Sequence, residues 1–422
     1  MDKSLSYNKE IINWGYILGY FCLFLVLPPI IGLPVILYVV WKKSLLKYSD
    51  YLLLMACIAI YLGSINATKQ PSGDQVNYFV AYENVPDIGF WKSLIYIYGT
   101  DYFVESGRTQ ISGEFMNGVY NYIGYYLTFG YYPLFAALYT FVEYLMIYLG
   151  LYKVFRKAQM PKYPIVCGVL TLSFFYLFFQ YTLQIQKQFF AQAIMMYVLG
   201  SYAEKGKMTI KLWLIALCSI LTHASTGLFL PFLLLKPLRS RLNKKWMAFI
   251  ALMLFAFILY GPRMAENVAS DNSGVAGYGM KRLAESEGQA DLAGGLVMSQ
   301  ILVIAVPMFI IVFRQLWLKR HIFIDKAQAF ILNITLLLLL AVASMYSKPL
   351  AQYRYFMMLL AFMPFVYPFI SSIVSKRNQW LMMISLVMVV WFYFQFSKII
   401  WYYAPEWQIL VYPPVGLIAK GF

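Results

Sequence analysis

One histidine in this sequence stands where it could act as a base. His223 lies in the polar segment Leu221-Thr-His-Ala-Ser-Thr226, between two apolar runs that are each short for a membrane span. A neutral imidazole, with an intrinsic pKa of about 6.5, can accept the proton of a hydroxyl group near neutral pH. We predict that His223 is a general base positioned by Ser225 or Thr222. The alternative is a hydrogen-bonded histidine that serves only helix packing.

The other histidine, His321, lies in the basic segment Lys319-Arg-His321 and is expected to be solvated surface. If His223 is only structural, the candidate bases become three acidic residues of the polar segments: Asp74, Asp101 and Glu114. Asp74 is also predicted to contact the substrate.

Several cations stand at or near the ends of apolar runs, where a positive charge is costly unless an anion or a polar cavity meets it. We predict that four of them bind an anion: Lys187, Arg263, Arg282 and Arg354. Two neighbours, Gln188 and Tyr353, add hydrogen-bond donors. The alternative for each cation is a side chain that reaches the lipid headgroups.

Tyrosines and asparagines are concentrated between residues 117 and 132. Asparagine amides beside tyrosine rings form a combination that suits sugar hydroxyls and sugar faces. We predict that Asn117, Asn121 and Tyr122 contact a glycan. Most tyrosines of this segment could instead belong to the aromatic belt at the membrane surface; they are Tyr120, Tyr122, Tyr125, Tyr126, Tyr131 and Tyr132.

The elements that must hold these residues are transmembrane helices. The chain has 422 residues, of which 61% are hydrophobic and only 12% charged, and its mean hydropathy is +0.64. This composition is typical of an integral membrane protein and leaves no stretch for a soluble catalytic domain. The sequence therefore predicts an all-α polytopic protein in which residues 1–422 form a single transmembrane domain, with outer loops near 68–130 and 261–294.

About twelve apolar runs have the length of a membrane-spanning helix. The first, near 14–41, is too long for a signal-peptide core, so we expect it to be retained, with kinks at Pro28, Pro29 and Pro34. The others lie near 51–67, 131–152, 163–181, 187–203, 209–222, 224–236, 246–260, 295–313, 327–347, 353–375 and 379–398.

Lysine and arginine collect at every second junction between these runs. The clusters lie near 42–47, 153–162, 205–211, 236–245, 314–326 and 376–377. By the positive-inside rule these junctions are cytoplasmic, so both termini and the remaining cations face outward. The clusters also account for most of the net charge of +16, and a nucleic-acid partner is therefore not expected.

The segment Gly113–Phe129 is apolar enough to cross the membrane, but a span there would place the cluster at 153–162 on the wrong side. We predict an outer-face or re-entrant amphipathic helix instead. One stripe would carry Phe115, Val119, Tyr122 and Tyr126, and the other Glu114, Asn117 and Asn121.

Metal, redox and nucleotide chemistry have no motif in this sequence. Cys22, Cys57, Cys167 and Cys218 all fall in apolar runs with no C-x-x-C spacing, so neither a disulfide framework nor a metal site is predicted. The nearest phosphate-loop candidate, Gly200–Met208, has one residue too many and ends in methionine. We expect no cofactor.

Three short motifs resemble the EpsG-like branch of the Wzy-type O-antigen and capsular polysaccharide polymerases. They are Gln184-Ile-Gln-Lys187-Gln188-Phe-Phe-Ala191, His223-Ala-Ser225 and Tyr353-Arg354-Tyr355-Phe356. Their order and approximate spacing match across about 100–360. Lys187 replaces the arginine of the family pattern and Gln184 its asparagine, which keeps the charge but loses the planar guanidinium.

The resemblance implies a metal-independent, multi-span (GT-C-like) glycosyltransferase of the bacterial inner membrane. It would transfer a growing glycan from undecaprenyl pyrophosphate onto a new lipid-linked repeat at the outer face. The anion held by Lys187, Arg263, Arg282 and Arg354 would then be the pyrophosphate of the lipid carrier. Its partners would be undecaprenyl-pyrophosphate-linked oligosaccharides and membrane lipids, with a chain-length regulator and a flippase as further partners.

Two other classes of protein stay open as alternative functions. A lipid-linked oligosaccharide flippase also has about twelve helices, but its cations should line a cavity that opens to both sides. A membrane acyltransferase that modifies surface glycans would also need a lone histidine, but it would take its acyl donor from the cytoplasm.

Overall fold

The computed structural model describes residues 12–43, 47–71, 74–94, 115–158, 162–250, 252–253, 256, 260, 295–318, 325–345, 349–366, 376–396 and 406–421. The regular elements in these ranges are helical. They are α1 (Trp14–Val26), α2 (Pro29–Lys42), α3 (Tyr48–Ala67), α4 (Asp74–Glu83), α5 (Val85–Ser93), α6 (Met116–Leu127), α7 (Tyr132–Lys157), α8 (Lys162–Ser173), α9 (Tyr176–Gln184), α10 (Gln186–Lys205), α11 (Ile210–Thr222), a 3-10 helix (Ala224–Phe229), α12 (Leu230–Leu234), a second 3-10 helix (Lys236–Arg239), α13 (Gly295–Phe313) with a π-helical turn (Arg314–Leu318), α14 (Lys326–Ser344), α15 (Pro349–Val366), α16 (Arg377–Phe396), α17 (Glu406–Val411) and α18 (Pro414–Ala419).

Short polar residues define where several of these apolar helices begin and end. Asn13, Thr209 and Asp325 each accept a hydrogen bond from a backbone N–H of the first turn that follows, a group with no acceptor inside the helix. Helix α10 ends at Gly206, which has φ +69°. A glycine adopts this left-handed conformation at little cost.

Four described helices are long and apolar enough to cross a membrane: Tyr48–Ala67, Tyr132–Lys157, Lys326–Ser344 and Asn378–Phe396. A fifth span results if Tyr163–Ser173 and Tyr176–Leu183, which meet at 54°, count as one broken helix. The structure therefore supports an all-α membrane protein, but the described residues give four or five spans by length where the sequence predicted twelve.

The difference has a physical cause at the first apolar run. The predicted single span near 14–41 is two helices, α1 and α2, because Pro28 and Pro29 lack the backbone N–H groups that would continue α1. The kink expected there is confirmed as a complete break, and Pro34 lies inside α2. Other predicted spans, such as α11 and α12, are likewise too short to be counted by length.

Helices α3, α7 and α10 form the centre of the bundle. Glycines allow their backbones to approach closely: Gly63 of α3 lies against the Ala137 carbonyl of α7, and Gly200 of α10 lies against Gly150 of α7. Small residues at such contacts are typical of helix pairs in membranes.

Two ends of this bundle can be distinguished. At one end, here called the basic end, Lys153 Nζ contacts Glu204 Oε2 at 3.2 Å and Arg239 donates to the Gly206 carbonyl at 3.2 Å. Arg241 donates to the Gln315 carbonyl at 3.1 Å. Four of the basic clusters identified in the sequence therefore contribute contacts at one end, as their alternation predicts. The opposite end, where α3 and α9 finish and α10 begins, is called the site end.

The predicted outer loop near 68–130 contains three helices, α4, α5 and α6, and residues 95–114 lie outside the described part. The amphipathic helix expected at Gly113–Phe129 is present as α6. Its polar face is buried, with Asn117 3% and Asn121 4% exposed, whereas Tyr126 is 53% exposed. The second predicted loop, 261–294, also lies outside the described residues.

Candidate active site

His223 stands at a break between two helices. It ends α11 and begins the 3-10 helix Ala224–Phe229, in an extended conformation with φ −155° and ψ 121°. Its Nδ1 lies 2.7 Å from Ser225 Oγ and accepts the Ser225 backbone N–H at 3.3 Å. The imidazole is partly buried. The break places the imidazole at the end of one helix and the start of the next.

The contact with Ser225 bears directly on the chemistry of the ring. When Nδ1 carries the proton and donates it to Ser225 Oγ, Nε2 keeps a lone pair and can accept a proton from substrate. When Nδ1 accepts from Ser225, Nε2 carries the proton and cannot act as a base. Ser225 meets Nδ1 through both its hydroxyl and its backbone N–H, so its contacts bear on which tautomer the ring adopts. Its role in positioning the histidine stays a prediction. Thr222, the other predicted helper, bonds instead to the Tyr120 hydroxyl at 3.0 Å.

Helix α10 is tied to α11 beside the histidine. Ser219 Oγ donates to the Ala191 carbonyl at 2.7 Å and to Thr226 Oγ1 at 3.0 Å. Because α10 and α11 run in opposite directions, one turn from this contact toward the site end leads to Lys187 on α10 and to His223 at the end of α11. The structure therefore brings two predicted site residues, 36 positions apart in sequence, to the same level of the bundle.

The first turn of α10 is polar and buried. Gln186, Lys187 and Gln188 are 6%, 5% and 3% exposed. Within the described residues, Gln186 Oε1 and Gln188 Nε2 have no hydrogen-bond partner. The backbone N–H groups of a first helical turn also lack acceptors inside the helix. This turn thus presents a lysine, an amide donor and the positive end of a helix dipole to one small region.

Helix α6 closes the site from one side. The Tyr120 ring lies 5.0 Å from the Phe190 ring of α10, and its hydroxyl reaches Thr222 next to His223. Asn117 and Asn121 are on the buried face of the same helix, and Asn117 Nδ2 is without a partner among the described residues. Tyr122 lies on another face, against Phe90 at 5.1 Å and Tyr126 at 5.0 Å. The two asparagines thus lie on the buried face of α6, and Tyr122 lies on a different face.

The motif Tyr353-Arg354-Tyr355-Phe356, near the start of α15, packs beside α9. The Tyr353 ring lies 5.6 Å from the Tyr181 ring, and Gln352 Nε2 donates to the Val342 carbonyl at 3.0 Å. Arg354 follows in the same helical turn, and its side chain is outside the described atoms. Arg263 and Arg282 are outside the described residues, and Asp74 begins α4 with a side chain that is not described.

Sequence reasoning missed a buried polar group between α7 and α10. Glu143 is 1% and Gln192 0% exposed. In the described structure, Glu143 Oε1, both polar atoms of Gln192 and the Tyr139 hydroxyl lack hydrogen-bond partners. On one side of Glu143 and Gln192, the ring centroids of Tyr139 and Phe190 are 4.2 Å apart. On the other side, Gly150 of α7 approaches the backbone of α10 closely. Their signal in the sequence was a single glutamate within an apolar run and a glutamine one turn after Gln188.

A second missed feature joins α3, α4 and α9. Lys69, two residues beyond α3, is 3% exposed and donates through Nζ to Gln75 Oε1, and Gln75 Nε2 donates to the Leu183 carbonyl. Lys69 could be recognised in the sequence as an outer cation, but its burial could not. Among the described residues, no group of three or more His, Cys, Asp and Glu side chains is arranged to hold a metal ion.

These features define an α-helical membrane protein with a polar site of His, Lys, Asn and Gln side chains at one end of its bundle. The chain matches the sequence model of the EpsG family over residues 91–413 and belongs to that family. The family is one of Wzy-type polymerases, so membership identifies a membrane enzyme of the glycosyltransferase type with a glycan polymerase-like function. No curated protein and no solved structure matches the chain.

Proposed function

We propose that this protein polymerises lipid-linked oligosaccharide repeats at the outer face of a bacterial inner membrane. The growing glycan is transferred from undecaprenyl pyrophosphate to a hydroxyl group of the next lipid-linked repeat. The observation that carries this proposal is the common level of Lys187 and His223, fixed by the hydrogen bond from Ser219 to Ala191. A cation for the leaving group and a base for the acceptor are the two functions this reaction needs.

In the proposed reaction, His223 Nε2 accepts the proton of the acceptor hydroxyl as its oxygen bonds to the anomeric carbon. The bond from that carbon to the pyrophosphate oxygen breaks, and the leaving group departs with both electrons. Lys187 and Arg354 hold the negative charge that develops, with Arg263 and Arg282 as further cations. Asn117, Asn121 and Gln188 orient sugar hydroxyls, and no metal ion is required.

The proposal is tested with purified enzyme and lipid-linked single repeats. The wild-type protein should produce a ladder of lengthened glycans, whereas Arg354→Ala should yield only the single repeat at normal protein abundance. Arg354→Lys should recover part of the activity, because an ammonium cannot reproduce two parallel guanidinium hydrogen bonds. Full activity of Arg354→Ala would contradict the assigned role.

A deletion strain separates polymerisation from the other two classes. Loss of a polymerase leaves a surface glycan with one repeat, loss of a flippase leaves none, and loss of an acyltransferase leaves the ladder. An unchanged ladder, or the absence of every repeat, would refute polymerisation.

A further inference from the structure

Within the part of the chain that the structure describes, Lys69 is the most deeply buried cation at the site end that the sequence motifs do not include. It is 3% exposed, and its Nζ donates to the side-chain carbonyl of Gln75. A lysine that reaches toward lipid headgroups keeps its ammonium in water, which this burial excludes. The burial also lowers the pKa of Lys69 to about 7, since a charged amine loses hydration there.

Gln75 connects Lys69 to the last turn of α9, just before α10 begins. Its side-chain oxygen accepts from Lys69, so its nitrogen points the other way and donates to the Leu183 carbonyl. Leu183 is in the last turn of α9, four residues before Lys187. The bridge therefore ties the end of α3 to the junction between α9 and α10, and Lys69 stands at the side of that junction.

The first turn of α10, which follows this junction, is rich in hydrogen-bond donors. Gln188 is 3% exposed, and its Nε2 has no partner among the described residues. The first backbone N–H groups of α10 have no acceptor inside the helix. Together with the positive charge of Lys187 in the same turn, these donors can be satisfied by an oxyanion.

A purely structural role for Lys69 is the competing explanation. A cation just beyond α3 interacts favourably with the carbonyl end of that helix, and its backbone N–H already bonds to the Asn66 carbonyl at 3.0 Å. Such a role requires a charge near the helix end but no donors on α10. It explains neither the orientation of Gln75 nor the unpartnered amide of Gln188.

We propose that Lys69, held by Gln75, forms with the first turn of α10 a binding site for a phosphate or pyrophosphate group. This deepens the proposed function, because the pyrophosphate of the lipid carrier is the ligand assigned. An anionic phospholipid headgroup offers the same chemistry, and the experiment must separate the two. Lys69 binds this group and does not exchange protons with the sugar.

The test uses the full-length protein in nanodiscs of phosphatidylcholine, titrated with inorganic pyrophosphate and with farnesyl pyrophosphate by calorimetry. Lys69→Met should weaken both affinities roughly 10- to 100-fold, the value of a hydrogen bond to a charged group. Lys69→Arg should retain most of the affinity. Lys92→Met is the matched control, because Lys92 is an exposed cation on α5, and it should bind as the wild type does.

A second variant, Gln75→Glu, keeps the shape of the bridge but supplies a carboxylate to Lys69. It should lose pyrophosphate affinity to a similar degree while its melting temperature stays at or above that of the wild type. This result would exclude misfolding as the cause of a loss in Lys69→Met. Unchanged affinity in both variants, or an equal loss in Lys92→Met, would overturn the proposal.

Two further measurements identify the source of the anion and separate this site from the proposed function. If phosphatidylglycerol in the nanodisc abolishes pyrophosphate binding, the site takes a lipid headgroup and the assignment to the carrier is wrong; unchanged binding supports the carrier. Pyrophosphate binding that depends on Lys69, in a protein that extends no lipid-linked repeat, would support this site and refute polymerisation. Polymerisation with an unchanged KM in Lys69→Met would refute this site and leave polymerisation intact.

Discussion

The interface between α7 and α10 has different properties in its two halves. Toward the basic end, Gly150 and Gly200 bring the two backbones into contact, and an added methyl group on either would collide with the other helix. Toward the site end, the same helices carry Tyr139, Glu143, Gln188 and Gln192, each with at least one polar side-chain atom that lacks a partner within the described structure. The buried hydroxyls of Ser201 and Tyr202 lack partners in the basic half, but a hydroxyl costs less to bury than an ionised carboxylate.

The comparison indicates that the two halves of this helix pair have different roles, one in stability and the other in the polar site. A close glycine contact fixes the distance between the helices at one half, and this allows a polar, incompletely bonded site at the other. Substitutions of the predicted site residues at the end of the bundle should therefore change turnover with little change in stability, and substitutions at the glycine contact should do the reverse.

The largest effect is expected for His223. Both His223→Ala and His223→Gln should lower turnover by about 10²- to 10⁴-fold, the usual contribution of a general base. Glutamine can bond to the acceptor hydroxyl but cannot take its proton. Single-turnover rates at saturating lipid-linked substrate measure the loss, and the melting temperature should not change. Wild-type rates in His223→Gln would make the histidine structural.

A smaller loss is expected for Ser225→Ala. Without the hydroxyl, Nδ1 keeps the hydrogen bond from the Ser225 backbone N–H, which favours the tautomer whose Nε2 cannot accept a proton. We expect kcat to fall about five- to tenfold, the equivalent of one neutral hydrogen bond, with KM unchanged. Ser225→Thr should restore kcat. An altered KM, or no recovery with threonine, would contradict tautomer selection.

The basic half is tested by Gly200→Ala. The added methyl group meets the Gly150 carbonyl, and overpacking of this kind costs about 1–3 kcal/mol of unfolding free energy. Thermal unfolding of purified protein should show a clear drop, while the turnover of the molecules that remain folded stays within about twofold of wild type. Gly19→Ala is the control, since its methyl group would meet no atom within 4 Å. A loss of turnover without a loss of stability would reverse the proposed roles of the two halves.

The smallest effect is expected for Glu143→Gln. The change removes an ionisable group that is 1% exposed and has an unpartnered oxygen, while it keeps the shape of the side chain. We expect equal or slightly greater thermal stability and turnover within about twofold of wild type, because the site residues lie nearer the end of the bundle. A tenfold fall in turnover would mean that the polar site extends to Glu143.

Much of the class of this protein follows from its sequence. Composition identifies a membrane protein, and the alternation of lysine and arginine clusters correctly groups the junctions that meet at the basic end, because that sorting depends on charge and chain order alone. The three short motifs identified the family that the match over residues 91–413 confirms. His223 could be singled out because a histidine among hydroxyls contrasts with its apolar surroundings.

Tertiary structure alone decided which polar groups share a site. Helical periodicity predicted the two faces of α6, but only packing shows that Asn117 and Asn121 turn inward and that Tyr122 does not join them, since a bundle in a membrane can bury the polar face. The number of helices long enough to span the membrane also could not be established from apolar runs, because prolines and breaks divide these runs into shorter helices. The burial of Lys69 and Gln75, and the unpartnered oxygen of Glu143, could not be recognised from the sequence nearby. Their burial depends on helices that meet from distant parts of the chain, and a residue's environment there is set by its neighbours in space and not by its neighbours in sequence.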